Sequence, residues 1–237
     1  MVLPARNEAA CMGDLLDEIL TSCTELPLVE VIVVDDGSTD GTGDIVRKVA
    51  ERDSRVLALR HDRSAGQSAA VHSGVLHATG TLICTLDGDG QNPPAEIPAL
   101  VARLRAELDS GTGLVAGQRV ARRDGLSKRW ASRIANGIRS RVLRDGTRDT
   151  GCGLKAFRRD AFLALPYFDH MHRYLPALFR RDGWQIALVD VSHRERRGGR
   201  SNYSNLQRGL VGAVDLLGVA WLIRRRKKAR PAARSLT

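Results

Sequence analysis

A chain of 237 residues with 43% hydrophobic and 27% charged residues suits one globular domain with a sizeable core, or such a domain plus a small appendage, and excludes a disordered chain. The net charge of +10 is divided unevenly: residues 1–110 hold 9 Lys and Arg against 18 Asp and Glu, whereas residues 111–237 hold 28 against 9. An acidic half suits a cation site and a basic half suits phosphates or nucleic acid, but aromatic residues make up only 4% and are not interleaved with the cations, which argues against a nucleic-acid-binding module.

Apolar runs at 1–4, 29–34, 55–60, 81–86 and 113–118 predict strands, and the patterns at 8–22, 42–53, 66–78 and 94–108 predict helices between them. This alternation predicts right-handed βαβ units in a mainly parallel, Rossmann-like sheet with flanking helices, whose ligands bind beyond the carboxyl ends of the strands. Met1-Val2-Leu3 is short for an interior strand, which points to a true start several residues upstream. The chain enters that strand at once and shows no secretory signal. Cys11, Cys23, Cys84 and Cys152 show neither Cys-x-x-Cys nor zinc-ligand spacing; a reducing compartment fits them, and Cys84 reads as a small core residue.

Asp35-Asp36 closes the second predicted strand, and Asp87-Gly88-Asp89-Gly90-Gln91 closes the fourth. Two short carboxylates one residue apart at a strand end suit a hard divalent cation that takes its other ligands from a diphosphate and water; the bland alternative is a tight turn. Gly66-Gln67-Ser68 opens the third helix, where backbone N–H groups can receive a phosphate.

Residues 119–144 carry nine cations, Arg119, Lys128, Arg129 and Arg133 among them, against Asp124 alone. Their later part predicts a helix with Trp130, Ile134, Ile138 and Val142 at helical spacing. Phe157, Phe162 and Leu165 read as core, and residues 184–192 as a further strand. Leu206 to Ile223 is mostly apolar but interrupted by Gln207, Arg208 and Asp215; at about 1.5 Å per residue it covers roughly 27 Å, barely a bilayer core. With Arg224-Arg225-Arg226-Lys227-Lys228 behind it, the segment predicts a peripheral or half-inserted helix on an anionic membrane, with a helix packed on the domain as the alternative.

Three stations in order resemble the family 2 glycosyltransferases: Pro4-x-x-Asn7-Glu8, then Val34-Asp35-Asp36-Gly37-Ser38-x-Asp40-x-Thr42, then Asp87-x-Asp89-x-Gln91. Within that family the chain looks most like the polyprenyl-phosphate sugar transferases, the group containing dolichol-phosphate mannosyltransferase, over roughly residues 1–205. The resemblance implies a GT-A fold and divides the chain into a catalytic domain at 1–205 (1–118 for nucleotide sugar and metal, 119–205 for acceptor) and a membrane-associating helix with a basic tail at 206–237. It implies Mg²⁺ or Mn²⁺ on Asp87, Asp89 and Gln91, beside Gly88. It places Pro4, Arg6, Glu8, Val33, Asp35 and Asp36 around a GDP- or UDP-linked sugar, with phosphates clamped by Arg119 and Arg196. Lys128, Arg129, Ser132 and Arg133 would meet an acceptor phosphate. Arg196, Gly199, Ser201 and Tyr203 match a later family pattern, from which Asn202 departs.

The activity implied is inverting sugar transfer to a dolichyl or undecaprenyl phosphate at the cytoplasmic face of a membrane. A phosphomonoester, with a second pKa of about 6, is already anionic and needs no general base; a saccharide or lipid hydroxyl, the alternative acceptor, needs one. A nucleotide-sugar-binding protein without catalysis is the remaining alternative, and the intact Asp87 and Asp89 argue against it.

Overall fold

The computed structural model describes residues 1–120, 137, 139–143, 145–194 and 205–226. In chain order these form β1 (Val2–Ala5), α1 (Ala9–Ser22), β2 (Val31–Asp35), α2 (Thr42–Arg52), β3 (Val56–Arg60), α3 (Gln67–His77), β4 (Leu82–Thr85), α4 (Ile97–Ala106), β5 (Thr112–Arg119), β6 (Lys155–Arg158), α5 (Arg159–Leu163), α6 (Leu175–Arg181), β7 (Gln185–Val191) and α7 (Asn205–Arg224). Short 3₁₀ turns at Pro94–Glu96 and Met171–Arg173 complete the set.

One seven-stranded sheet runs β3-β2-β1-β4-β6-β5-β7, with β6 antiparallel to both neighbours and every other pairing parallel. Helices cover both faces, so β2 is buried throughout and reads as an unbroken apolar run. Its side chains alternate between two cores. Leu3, Val31 and Val33 join Met12, Leu16 and Leu100 on one face; Val2, Ile32 and Val34 join Val71, Phe157 and Phe179 on the other. Gly74 of α3 belongs to the second contact, because a Cβ there would overlap Val2 and so force α3 off β1.

The predicted strands and helices through residue 118 are all present, as is the strand at 184–192, realised as β7. Cys84, Phe157, Phe162 and Leu165 are core residues, and the four cysteines are buried and form no disulfide with one another. Two features depart from the expected pattern. β6 inserts an antiparallel strand into the middle of the sheet. Asp215 does not interrupt a lipid-facing surface: it accepts from or pairs with His170 Nδ1 at 3.0 Å, on the side of α7 that packs inward through Leu216, Val219, Ala220 and Ile223. Among the described residues no helix is long and apolar enough to cross a membrane. Of the helix expected around Trp130, Ile134, Ile138 and Val142, residues 137 and 139–143 are helical, Val142 among them, while Trp130, Ile134 and Ile138 lie outside the described residues.

Candidate active site

Strand order reverses between β1 and β4, which makes the gap beyond their carboxyl ends the topological switch point of the sheet, where ligands of open α/β folds bind. The first two sequence stations are tied together there by side-chain bonds to backbone. Asn7, in the left-handed region at φ 56°, accepts from Thr39 N at 2.8 Å, while its own N–H donates to Ser38 Oγ at 3.0 Å. Glu8 N donates to Thr42 Oγ1 at 2.9 Å and Ala9 N to Asp40 Oδ2 at 3.1 Å. Asn7, Ser38, Asp40 and Thr42 therefore build the rim, and α1 starts on it.

One open cleft brings together Pro4, Arg6, Glu8, Asp36, Asp87 and Asp89, with Gly88 in its wall. Seven of the residues expected around nucleotide and metal thus share one cavity. Asp87 Oδ1 accepts from Gln67 Nε2 at 2.7 Å, and Asp89 Oδ1 accepts from Gln91 N at 3.1 Å. Burial and the charge of Asp89 push the Asp87 carboxyl up to about 6, against the pull of Lys155 and Arg119. Two carboxylates one residue apart, the charge of Asp89 raising the pKa of Asp87, offer only oxygen donors and fit a divalent cation that would relieve the repulsion. Among the described residues no group of three or more His, Cys, Asp or Glu gathers to hold a metal. Asp87 and Asp89, with the Gln91 amide, would therefore leave other positions to ligand oxygens. Gly153 is required beside them, because a Cβ at that position would overlap the Asp87 carboxylate.

Other expected residues take different places. Asp36 lines the cleft, but its oxygens accept from His61 Nδ1, Ser64 Oγ, Ala65 N and Gly66 N, at 2.8 to 2.9 Å. Burial opposes its ionisation, yet these four donors hold its pKa below the ordinary carboxylate value. The residue thereby fixes loop 61–66 and the start of α3. Asp35 is buried, accepting from Ser38 N at 2.8 Å with Oδ2 3.2 Å from Arg60 Nη1. Val33 is buried in the core, since both faces of β2 are covered, and offers no side-chain surface to a ligand.

Arg119, expected to clamp phosphate, is held by Asp149 through two bonds, Nε to Oδ2 at 2.5 Å and Nη2 to Oδ1 at 3.0 Å. Burial works against its charge, but Asp149 outweighs it and raises the pKa. In the basic run, Arg139 is buried, bonded to Asp145 and to Thr147 O at 2.7 Å, so it braces the chain before β6. Lys128, Arg129, Ser132, Arg133, Arg196, Ser201 and Asn202 lie outside the described residues.

A second cavity adjoins the cleft and shares Pro4, Gln67 and Asp87 with it. Its lining includes Lys155, His172 and Arg173, which sequence reasoning did not single out. Lys155 is buried, donates to Cys152 O and has its pKa lowered by that burial. A Lys at the start of a four-residue strand carries no periodic signal that could have revealed it.

A sheet of this order with paired carboxylates at its switch point belongs to the class of nucleotide-sugar glycosyltransferase folds, and the comparisons agree. The model of glycosyl transferase family 2 matches residues 1–165, and the chain belongs to that family. An undecaprenyl-phosphate 4-deoxy-4-formamido-L-arabinose transferase of Edwardsiella ictaluri is 34% identical over 219 residues, covering 92% of this chain and 65% of the relative. Its counterpart in Pseudomonas aeruginosa is 36% identical over 209 residues, covering 87% and 60%. The chain thus spans 60 to 65% of the length of these curated relatives.

Among solved structures, a mannosyltransferase of Pyrobaculum calidifontis in complex with GDP-Man and Mn²⁺ aligns with TM-score 0.64 at 21% identity, covering 97% of this chain and 64% of that one. Mannosyl-3-phosphoglycerate synthase of Rubrobacter xylanophilus aligns with TM-score 0.69 at 19% identity, covering 98% and 76%. Glucosyl-3-phosphoglycerate synthase of Mycobacterium tuberculosis, in complex with Mn²⁺, UDP and phosphoglyceric acid, aligns with TM-score 0.67 at 19% identity, covering 96% and 78%. These likenesses show the fold, which is GT-A.

Proposed function

We propose that the chain transfers a sugar from a nucleotide diphosphosugar to a polyprenyl phosphate at a membrane surface, with inversion and with Mg²⁺ or Mn²⁺. The observation that carries this reading is the cleft joining Arg6, Glu8, Asp87 and Asp89 at the switch point. The named activity of the undecaprenyl-phosphate transferases and the sugar nucleotides bound by the structural neighbours support it. A divalent cation on Asp87 and Asp89 would neutralise the leaving diphosphate. Gln67 orients Asp87, and Asp36 fixes the loop that starts α3, whose first N–H groups have no side-chain cap and point a helix N-terminus at the cleft.

The acceptor half, residues 119–205, would hold the lipid phosphate with Lys128, Arg129, Ser132 and Arg133, leaving Arg119 to act from its pairing with Asp149. A phosphate acceptor attacks as the anion it already is, so the site requires cations rather than a base. α7 would bring the enzyme to the lipid. Its outward residues Val214 and Leu217 are 69% and 71% exposed, Trp221 is exposed on the same side, and Arg224, Arg225 and Arg226 follow. An apolar stripe ending in a cation cluster fits an anionic bilayer surface, here the cytoplasmic leaflet. The test is a panel of GDP- and UDP-sugars incubated with undecaprenyl or dolichyl phosphate and Mg²⁺ or Mn²⁺, reading released nucleoside diphosphate. Release that depends on polyprenyl phosphate supports the reading; release driven only by a saccharide or lipid hydroxyl replaces the acceptor.

A further inference from the structure

The hydrogen bond between Gln67 and Asp87 is a partition. Together with Pro4, these two residues border both the open cleft and the second cavity behind it, so one carboxylate serves two chambers. The rear chamber has a volume of about 240 Å³. That is below the range of about 300–1,000 Å³ typical of sites for drug-sized ligands, and it suits a single small ring.

Its walls are of two kinds. Pro4, Val71 and Leu175 are apolar, while Thr150, Lys155 and His172 are polar. Lys155 lies on β6 opposite Thr85 of β4 and is 4% exposed. Its ammonium donates one bond, to Cys152 O, and makes no other hydrogen bond or ion pair among the described residues. An ammonium has three donors, so two remain for something in the chamber. His172 is oriented from the other side. Ser68 Oγ accepts from His172 N at 3.2 Å and lies 2.8 Å from Nδ1. With its oxygen accepting the backbone bond, the hydroxyl proton goes to Nδ1, which leaves Nε2–H as the ring's donor.

Arg173 apart, the charged and imidazole groups of this lining balance: one ammonium, one carboxylate and one imidazole. With no net positive charge among them, these groups offer little to neutralise a phosphate. A sugar ring instead carries hydroxyl or amide groups that both donate and accept, and its flat faces suit Pro4, Val71 and Leu175. Arg173, the second cation of the lining, is exposed at the rim.

We propose that the chamber behind Asp87 receives the sugar ring of the donor, and that Lys155 and His172 select the sugar through its hydroxyl or amide oxygens. This rests on the sugar-transfer reading and assigns its specificity to named residues. The nucleoside diphosphate occupies the open cleft, and the ring passes beyond Asp87 into the rear chamber.

The test compares two probes on the full chain in the presence of Mn²⁺: the sugar nucleotide turned over best in the panel, and its nucleoside diphosphate without sugar. Lys155→Met keeps length and apolar bulk while removing the ammonium; His172→Gln keeps a polar side chain without the ring donor. Each variant is expected to weaken sugar-nucleotide binding by about tenfold or more, and to change the ratio between sugars epimeric at one hydroxyl, because a site built to bond a polar group rejects ligands that no longer match it. Affinity for the nucleoside diphosphate should stay within about twofold, which also shows that the variants fold, since the rear chamber adds nothing to that ligand. If Lys155→Met loses both affinities by unfolding, His172→Gln decides alone. Equal loss for both probes, no loss for either, or a rise confined to the acceptor KM overturns the subsite. A wild-type chain that binds no sugar nucleotide at all removes the sugar-transfer reading itself, an outcome distinct from a wild type that binds one while both variants behave like it.

Discussion

Gln67 donates from its side-chain amide to Asp87 Oδ1 at 2.7 Å, so the first residue of α3 holds one oxygen of the carboxylate that follows β4. Asp87 Oδ2 accepts no hydrogen bond among the described residues and would be the oxygen left for a cation. Partners that orient a metal-binding carboxylate typically matter by about 10–100-fold in affinity or activity. Gln67→Ala should therefore weaken Mn²⁺ binding by roughly tenfold, in the presence of nucleoside diphosphate, with little change in thermal stability. Unchanged Mn²⁺ affinity would make the contact incidental.

Gly153 is the second constraint on Asp87. A Cβ there overlaps the carboxylate, and the neighbouring backbone is held by Thr85 Oγ1, which donates to Gly153 O at 2.8 Å. The loop has no easy retreat, so Gly153→Ala should displace Asp87 and cut turnover by about a hundredfold while far-ultraviolet circular dichroism stays native. Wild-type turnover in this variant would mean that Asp87 can move without consequence.

Asp36 makes a prediction about stability rather than chemistry. Replacing its carboxylate by an amide turns two acceptor positions that face N–H and O–H groups into a clash of donors, and Asp36→Asn should cost about 1–3 kcal/mol at pH 7. The folded pKa is depressed, so the charge contributes stability above the unfolded value of about 3.9 and loses it as pH falls through the folded value. The gap between wild type and variant in urea unfolding should thus be full at pH 7 and shrink below about pH 4. A gap that is independent of pH would remove the carboxylate's charge from the explanation.

On α7, Val214→Asp with Leu217→Asp alters only the exposed side, because the inward residues Leu216, Val219 and Ile223 are untouched. Flotation with anionic vesicles should fall strongly in the double variant, and wild-type binding should weaken as salt shortens the Debye length from about 10 Å at 0.1 M to about 3 Å at 1 M. Donor binding should be unaffected in both. A wild type that ignores anionic vesicles would leave the exposed stripe for another partner.

The interior parallel strands β1, β2 and β4 were legible because they are largely buried on both faces and so are mostly apolar, and because the motifs fall at their carboxyl ends. β6 was not legible: four residues long, with a Lys at a buried position, it shows neither length nor alternation. Of the cleft, Asp87 and Asp89 were legible from residue type and spacing, and Arg6 and Glu8 only through the family resemblance. The position of Asp36 was legible but not its partners, since four donors from residues 61–66 converge on it only in three dimensions. Arg119 shows the same limit, its partner Asp149 lying 30 residues away. For α7 the apolar segment gave the helix, and Asp215 looked like an obstacle to lipid until His170 appeared as its inward partner.

The most direct measurement follows labelled sugar from its nucleotide into polyprenyl phosphate, for the wild type and for Asp89→Asn, at saturating Mn²⁺ and again at limiting Mn²⁺. The wild type is expected to form an organic-phase, lipid-linked sugar. Asp89→Asn should reduce that product by about a hundredfold or more, with the greater loss at limiting cation, because the amide gives up the charge that holds it. No lipid-linked sugar from the wild type with any nucleotide, or an Asp89→Asn variant that keeps pace with it at limiting Mn²⁺, would contradict metal-assisted transfer at this cleft.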